Sequence, residues 1–592
     1  MSLEMLSFEL DSSLPHSSIV TVWGQFTFGC NAFAGWKLRG GDLTAFAPEP
    51  VCTSNRGKAR YTEFDAMQRG GRLKRMRWFS GVAVVLVAAM AAGQTPAPNS
   101  GDGKITPPVL ESGQTSIVID SKLTKAQEKD LLGSEEEILQ FVSRDTLLPI
   151  KSPVKCRFIS RDAVNKELRK KFDEDKSNQR MERSELVLKK FGLLDRDFNL
   201  RPFLLSLLTE QIAGFYDNKT KQMNLLDWVA IDEQKPVMAH ELTHALQDQM
   251  VGLTKWDDQE IEGVAKDSVE DNRHIATDET DTAREAVLEG QAMVSFADHM
   301  LAPRGKTLRD VPEVGKELEQ GAGDMSDSPV LARAPLVLQQ ALLFPYTAGL
   351  NFEQAVLVKN GVRPAFAGVL ENPPNTSYEI LTPEAYLRHQ AMPLLVLPDI
   401  HPLLKEAGYE PYDVGVMGEL DVRMIAELFG GKPLAEALAP EWDGGIYYAA
   451  QRSAATPEQK QTTASLALLY SSRWKNEDSA RSLMEVFEEE LPRQYDKLTR
   501  RKADEQSDEE RVYTTNEGDV LLMLEGKTVW VSEGFDVALA RKLRDAVDGA
   551  QGHGPVLSAG KREQGSGIRN SGPVEGIAGW MGGFGMMRVG LR

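Results

Sequence analysis

Residues 236–250 read PVMAHELTHALQDQM, and the run His240-Glu241-Leu242-Thr243-His244 inside them decides how the rest of the chain is read. Pro236 predicts the opening of a helix, because a proline in the first turn gives up no hydrogen bond. Residues four apart on a helix face the same way, so His240 and His244 offer both imidazoles to one cation. Glu241 lies about 100° further round the axis, where it meets a water held by that cation rather than the cation itself. The chemistry requires this set. A bound zinc lowers the pKa of its water from about 15.7 to about 7, and a neighbouring carboxylate takes the proton and passes it to the leaving amine. With 8 histidines in 592 residues, the pattern arises by chance in about one such chain in a hundred. Val237, Met238, Ala239, Leu242, Ala245 and Leu246 flank it, and two unliganded imidazoles on so apolar a segment would be costly.

A catalytic zinc takes three protein ligands and keeps one position open. The third is expected from TDTAREAVLEGQAMVSF (280–296). Glu289 is the leading candidate, because it sits among Val287, Leu288, Ala292 and Met293, where an unpaired carboxylate is expensive. Glu285, one turn earlier, is the alternative, although Thr282-x-x-Glu285 also fits a capping box at a helix start. His274, His299 and Asp281 complete the set.

Outward from this segment, the chain divides by composition. Residues 1–75 show no sustained helix or strand period and read as a non-native or disordered extension. In MQRGGRLKRMRWFSGVAVVLVAAMAAG (67–93) a basic flank precedes a short apolar run and small residues, the pattern of a secretory signal. The expectation is translation from Met67 or Met76 and a signal peptide at 76–93, or an uncleaved anchor over 78–96. Residues 94–115 are Pro/Gly/Ser-rich and read as a linker. Residues 116–329 are the candidate catalytic region. Residues 330–547 read as mostly helical, with a short strand pair near VLLMLEGKTVWVSEG, and 548–592 as a Gly-rich disordered tail. The fold class expected is α+β.

Net charge is −19, with 41% hydrophobic and 26% charged residues. An acidic chain with no long basic run outside the signal disfavours nucleic acid as a partner. The partner expected is a peptide or protein substrate, with membrane contact only through 78–96. Of three cysteines, Cys30 and Cys52 precede the signal, so Cys156 alone would remain in the exported chain and no internal disulfide is expected.

At HELTHAL the chain resembles the gluzincin metallopeptidases, thermolysin-like enzymes in particular. Leu288-Glu289-Gly290-Gln291-Ala292 is similar to the Asn-Glu-Gly-x-Ala segment of zinc aminopeptidases, which implies Glu289 as the third ligand. The thermolysin pattern Glu-Ala-x-x-Asp would select Glu285 instead. More widely, GFYD (214–217), HELTHALQDQ (240–249), AREAVLEGQA (283–292), NPPNTSYEILTPEAY (372–386) and EWDGGIYYA (441–449) resemble a group of exported bacterial HExxH proteins. The resemblance implies a zincin-like region, Zn2+ on His240, His244 and Glu289, and Glu241 as general base. It also implies an edge strand from GFYDNKTKQMNLL, a hairpin by its turn residues, that pairs with an extended peptide. Tyr346, Tyr378 and Tyr447 are candidate oxyanion donors, and Asp248 a candidate partner for an imidazole. Trp442 and GGIYY line a cleft or pack a turn. The function expected is an exported zinc metallopeptidase; the alternatives are a non-catalytic zinc-binding envelope protein and a self-processing enzyme.

Overall fold

The computed structural model describes strands within residues 21–46, and residues 123–551 apart from 175–176, 230, 257–266, 324, 326–327 and 393. The signal segment, the linker and nearly all of the Gly-rich tail lie outside the described residues. The chain divides into two units, 1–77 and 78–592. In the first, β1 (Thr21–Phe28), β2 (Cys30–Arg39) and β3 (Asp42–Phe46) pair in order as an antiparallel meander. The absence of strand period expected here is therefore corrected. Gly24 in β1 and Gly35 in β2 interrupt the alternation by which a strand is recognised.

The second unit is α+β. Its α1 (Lys125–Thr146) starts at a capping box in which Thr124 and Gln127 satisfy each other's backbone N–H groups. Next come β4 (Lys155–Ile159), α2 (Ser177–Lys190), β5 (Gly214–Asp217) and β6 (Gln222–Leu226). The expected hairpin forms. β5 and β6 pair antiparallel, Tyr216 opposite Met223, while β4 joins β6 in parallel, giving the order β4-β6-β5. The Asp217 carboxylate accepts from the N–H groups of Lys219 (2.9 Å) and Thr220 (3.2 Å), which closes the turn.

The helix carrying the histidines is α3 (Ile231–Val251). It begins five residues before Pro236, correcting the expected start. The Gln234 amide donates to the carbonyls of Leu226 (2.9 Å) and Val229 (2.8 Å) and ties that first turn to β6. α4 (Thr280–Leu301) is buried almost end to end. Because α4 starts at Thr280, Thr282 lies inside the helix rather than at its cap, and the Thr282/Glu285 capping box is not formed. α4 packs along α5 (Leu336–Asn360), and at the crossing a Cβ on Gly290 would overlap the Gly349 backbone, while one on Gly349 would overlap the Ala286 carbonyl. Only glycine permits this approach.

Residues 330–547 hold more sheet than expected. β7 (Tyr409–Val416), β8 (Trp442–Arg452), β9 (Leu466–Trp474), β10 (Leu498–Arg500), β11 (Glu510–Thr515), β12 (Gly518–Glu525) and β13 (Thr528–Glu533) form one antiparallel sheet in the order β10-β11-β12-β13-β9-β8-β7. α6 (Glu419–Gly430), α7 (Glu477–Gln494) and α8 (Val537–Ala550) accompany it. The strand pair expected near VLLMLEGKTVWVSEG is β12–β13. The central strands were illegible because they are covered on both faces. β8 is buried without a break from Gly444 to Gln451, and β9 from Leu466 to Ser472, so no period of two survives.

A fully buried lysine joins α2 to this sheet. Lys190 Nζ donates to Glu517 Oε2 at 2.9 Å and lies 5.5 Å from the centre of the Tyr495 ring, and the Tyr495 hydroxyl bonds to Glu533. Arg196 stands 3.5 Å from Glu517.

Candidate metal centre

α3 and α4 bring three expected ligands together. His240 Nε2 lies 3.0 Å from Glu289 Oε2, His244 Nε2 lies 3.6 Å from the same oxygen, and the two Nε2 atoms are 3.1 Å apart. Among the described residues this is the one group of three or more His, Cys, Asp or Glu side chains whose ligand atoms converge closely enough to hold a metal ion. Glu289 is fully buried, the His244 side chain is 1% exposed, and His240 at 12% provides the open edge. Glu285 is buried in α4 and Asp281 half-buried in its first turn, both outside the group. His274 pairs with Asp278 at 3.1 Å, and His299 packs edge-on against Phe141.

The donor set fits a cation. Neither Glu289 oxygen has a well-formed hydrogen bond among the described residues, and the nearest polar neighbours are the two Nε2 atoms. A buried carboxylate in that condition is costly unless a positive charge meets it. Burial alone would push the Glu289 carboxyl up, but the imidazole charges outweigh it and hold it below the usual range. Burial likewise opposes charge on His244, and Glu289 overrides it upward. A buried His-His-Glu group able to bind a metal ion is therefore built into the fold.

Glu241 is placed beside the group rather than in it. Its Oε2 accepts the Tyr216 N–H of β5 at 2.8 Å, and burial holds its carboxyl above the usual range against the pull of both histidines. β5 is an edge of its sheet, and Gly214 lies against Val237 and Glu241 of α3.

Tyr346, on α5, stacks on the His240 ring with centroids 6.3 Å apart. Tyr378 packs instead near Trp442, and Tyr447 donates to Asp413 at 3.1 Å, so neither stands at the centre. Trp442 is buried and donates to the Met417 carbonyl, packing a turn. Asp248 does not touch an imidazole. It accepts from the Tyr216 hydroxyl (2.8 Å), Lys221 Nζ (2.5 Å) and the Leu253 N–H (3.0 Å), tethering the hairpin to the end of α3. The group at the imidazole is Gln247, whose Oε1 lies 2.8 Å from His244 Nδ1. Sequence reasoning missed it; the available signal was an amide three residues after a ligand on an apolar helix.

Compared with known proteins, the chain matches no protein-family model, no curated protein and no solved structure.

Proposed function

We propose that the chain is an exported zinc metallopeptidase with a zincin-like catalytic region, hydrolysing peptide bonds in a peptide or protein substrate. The observation that carries this reading is the convergence of His240, His244 and Glu289 with Glu241 alongside but outside the ligand set. His240 and His244 would hold the ion through Nε2, and Glu289 through its carboxylate. Zinc, when bound, supplies Lewis acidity and a water of lowered pKa. The chain's own residues do the remaining work. Glu241, anchored through Oε2 by the Tyr216 N–H, keeps Oε1 for a proton. Burial brings its pKa upward, toward the range in which a carboxylate can both take and return one. Tyr346, in contact with a ligand ring, is assigned the oxyanion-donor role. A peptide pairing with β5 would share the Tyr216 N–H with Glu241.

Metal analysis of purified protein beside a mixed-peptide assay tests the reading. Glu241→Gln is expected to keep the metal and lose about 10²-fold or more in turnover. Equal hydrolysis by the variant and the parent, or hydrolysis indifferent to chelator, would refute it. A second reading, a zinc-binding protein without catalysis, draws support from the near-complete enclosure of the group behind His240 and Tyr346. Bound zinc without cleavage of any peptide would select it. Among the described residues no helix is long and apolar enough to cross a membrane, and export rests on the signal-like segment at 76–93.

A further inference from the structure

Gln247 and Gln291 are both fully buried amides, one on α3 three residues after His244, the other on α4 two residues after Glu289. Their hydrogen bonds admit one orientation each. Gln291 Nε2 lies 2.9 Å from the Ala365 carbonyl and 3.1 Å from that of Phe366. Both carbonyls belong to a π-helical turn, Pro364–Gly368, and a carbonyl can only accept, so the Gln291 nitrogen must face them and its Oε1 must face Gln247. Gln247 Nε2 then donates to Gln291 Oε1 (2.9 Å) and to the Leu288 carbonyl (3.1 Å). That leaves Gln247 Oε1 toward His244 Nδ1, at 2.8 Å. An amide oxygen has no proton to give, so the imidazole donates: Nδ1 carries the hydrogen, and in the neutral ring Nε2 keeps its lone pair.

We propose that Gln247 and Gln291 are positioning residues that lock His244 in the Nδ1–H tautomer, with the π-helical turn as the fixed end of a one-way amide relay. The inference rests on the metal-centre reading for its purpose, but the tautomer belongs to the protein with or without metal. The other tautomer would place a hydrogen on Nε2, toward His240 and Glu289, where a ligand lone pair is needed. Partners beyond the ligands commonly set ring orientation in this way. Here a neutral amide fills the place. A carboxylate at 247 would accept from Nδ1 but would also face two acceptors, Leu288 O and Gln291 Oε1.

Protein labelled with 15N-histidine, read by long-range proton–nitrogen NMR in the metal-free state at pH 8, tests this directly. The parent is expected to show His244 protonated at Nδ1, assigned by its loss in His244→Leu. Gln247→Met is expected to shift His244 to a mixture of tautomers and to weaken zinc binding, read by competition with a chelator, by about 10–100-fold. Should Gln247→Met fail to fold, Gln291→Met carries the test, because it leaves the His244 contact and removes one of the two acceptors that orient the Gln247 amide, Leu288 O remaining; a mixture with a smaller share of the second tautomer is expected. His244 protonated at Nε2 but not at Nδ1 in the parent, or an Nδ1–H signal and zinc affinity unchanged in both variants, overturns the proposal. A parent that binds no zinc yet loses its Nδ1–H tautomer in the variants overturns the metal reading and leaves the relay standing.

Discussion

Two buried clusters of charge in this molecule are built on opposite plans. Around Lys190, a lysine is enclosed with Glu517, Glu533 and the Tyr495 hydroxyl, and Arg196 stands at the edge. Burial works against charge on Lys190 and lowers its pKa, while the two glutamates pull it back. This cluster carries its own cation and is complete. Around Glu289, the carboxylate meets two imidazoles, and among the described residues the charges that hold its pKa down are those of His244 and His240, not of a Lys or Arg. A closed cluster serves to join elements, here α2 to the sheet. An open one, with lone pairs aimed at a shared point, calls for a positive ion from outside. Burial is common to both, so the missing cation is what separates a structural ion pair from a candidate site.

The comparison can be broken at either end. The largest effect is expected from His244→Leu. The parent should gain about 4 kcal/mol of unfolding free energy when zinc is supplied at a thousand times its Kd, while this variant gains nothing; denaturant titrations with and without chelator measure both. Next is Lys190→Met, which takes the buried cation from Glu533 and the direct partner from the half-buried Glu517 and is expected to cost about 3–5 kcal/mol in the same titrations. Zinc binding should persist in the folded variant. If it disappeared, the two clusters would not be independent. Gly290→Ala sharpens the contrast, because its overlap with Gly349 should cost about 1–3 kcal/mol and also displace Glu289, weakening zinc as well as the fold.

The most gradual effect, and the smallest per step measured, is a pH slope. Burial pushes the Asp413 carboxyl up to about 7, with the Tyr447 hydroxyl donating to it. The unfolded chain releases this proton near pH 4 and the folded one holds it to about 7, so the folded state binds more protons between those values. Stability from this group should fall as pH rises through that window, by at most about 1.4 kcal/mol per pH unit, and Asp413→Asn should flatten the fall.

The site was more legible than the fold around it. HExxH puts two imidazoles on one helix face and a carboxylate beside them by helical period alone, and Glu289 stood out because a carboxylate among Val287, Leu288 and Met293 needs a reason to be there. Glu285 stayed open as the alternative, because the thermolysin pattern selects it; it is the packing of α4 on α3 that brings Glu289 rather than Glu285 to the histidines. The start of α3 was misread because Pro236 is a stronger local mark than the tie from Gln234 to β6, a contact between elements that leaves no trace in spacing. The large sheet was hidden for a related reason: a strand covered on both faces looks like any apolar run. Gln247 was overlooked since polar residues on helices are ordinarily solvated, and only packing against α4 shows this one to be enclosed.

The backbone amide of Tyr216 that steadies Glu241 has one more implication. It is a feature no alanine scan will register, for every amino acid except one supplies the same group. Tyr216→Phe would disturb the tether to Asp248 and leave the proton acceptor aimed as before. Proline alone, at that single position, would let it swing loose.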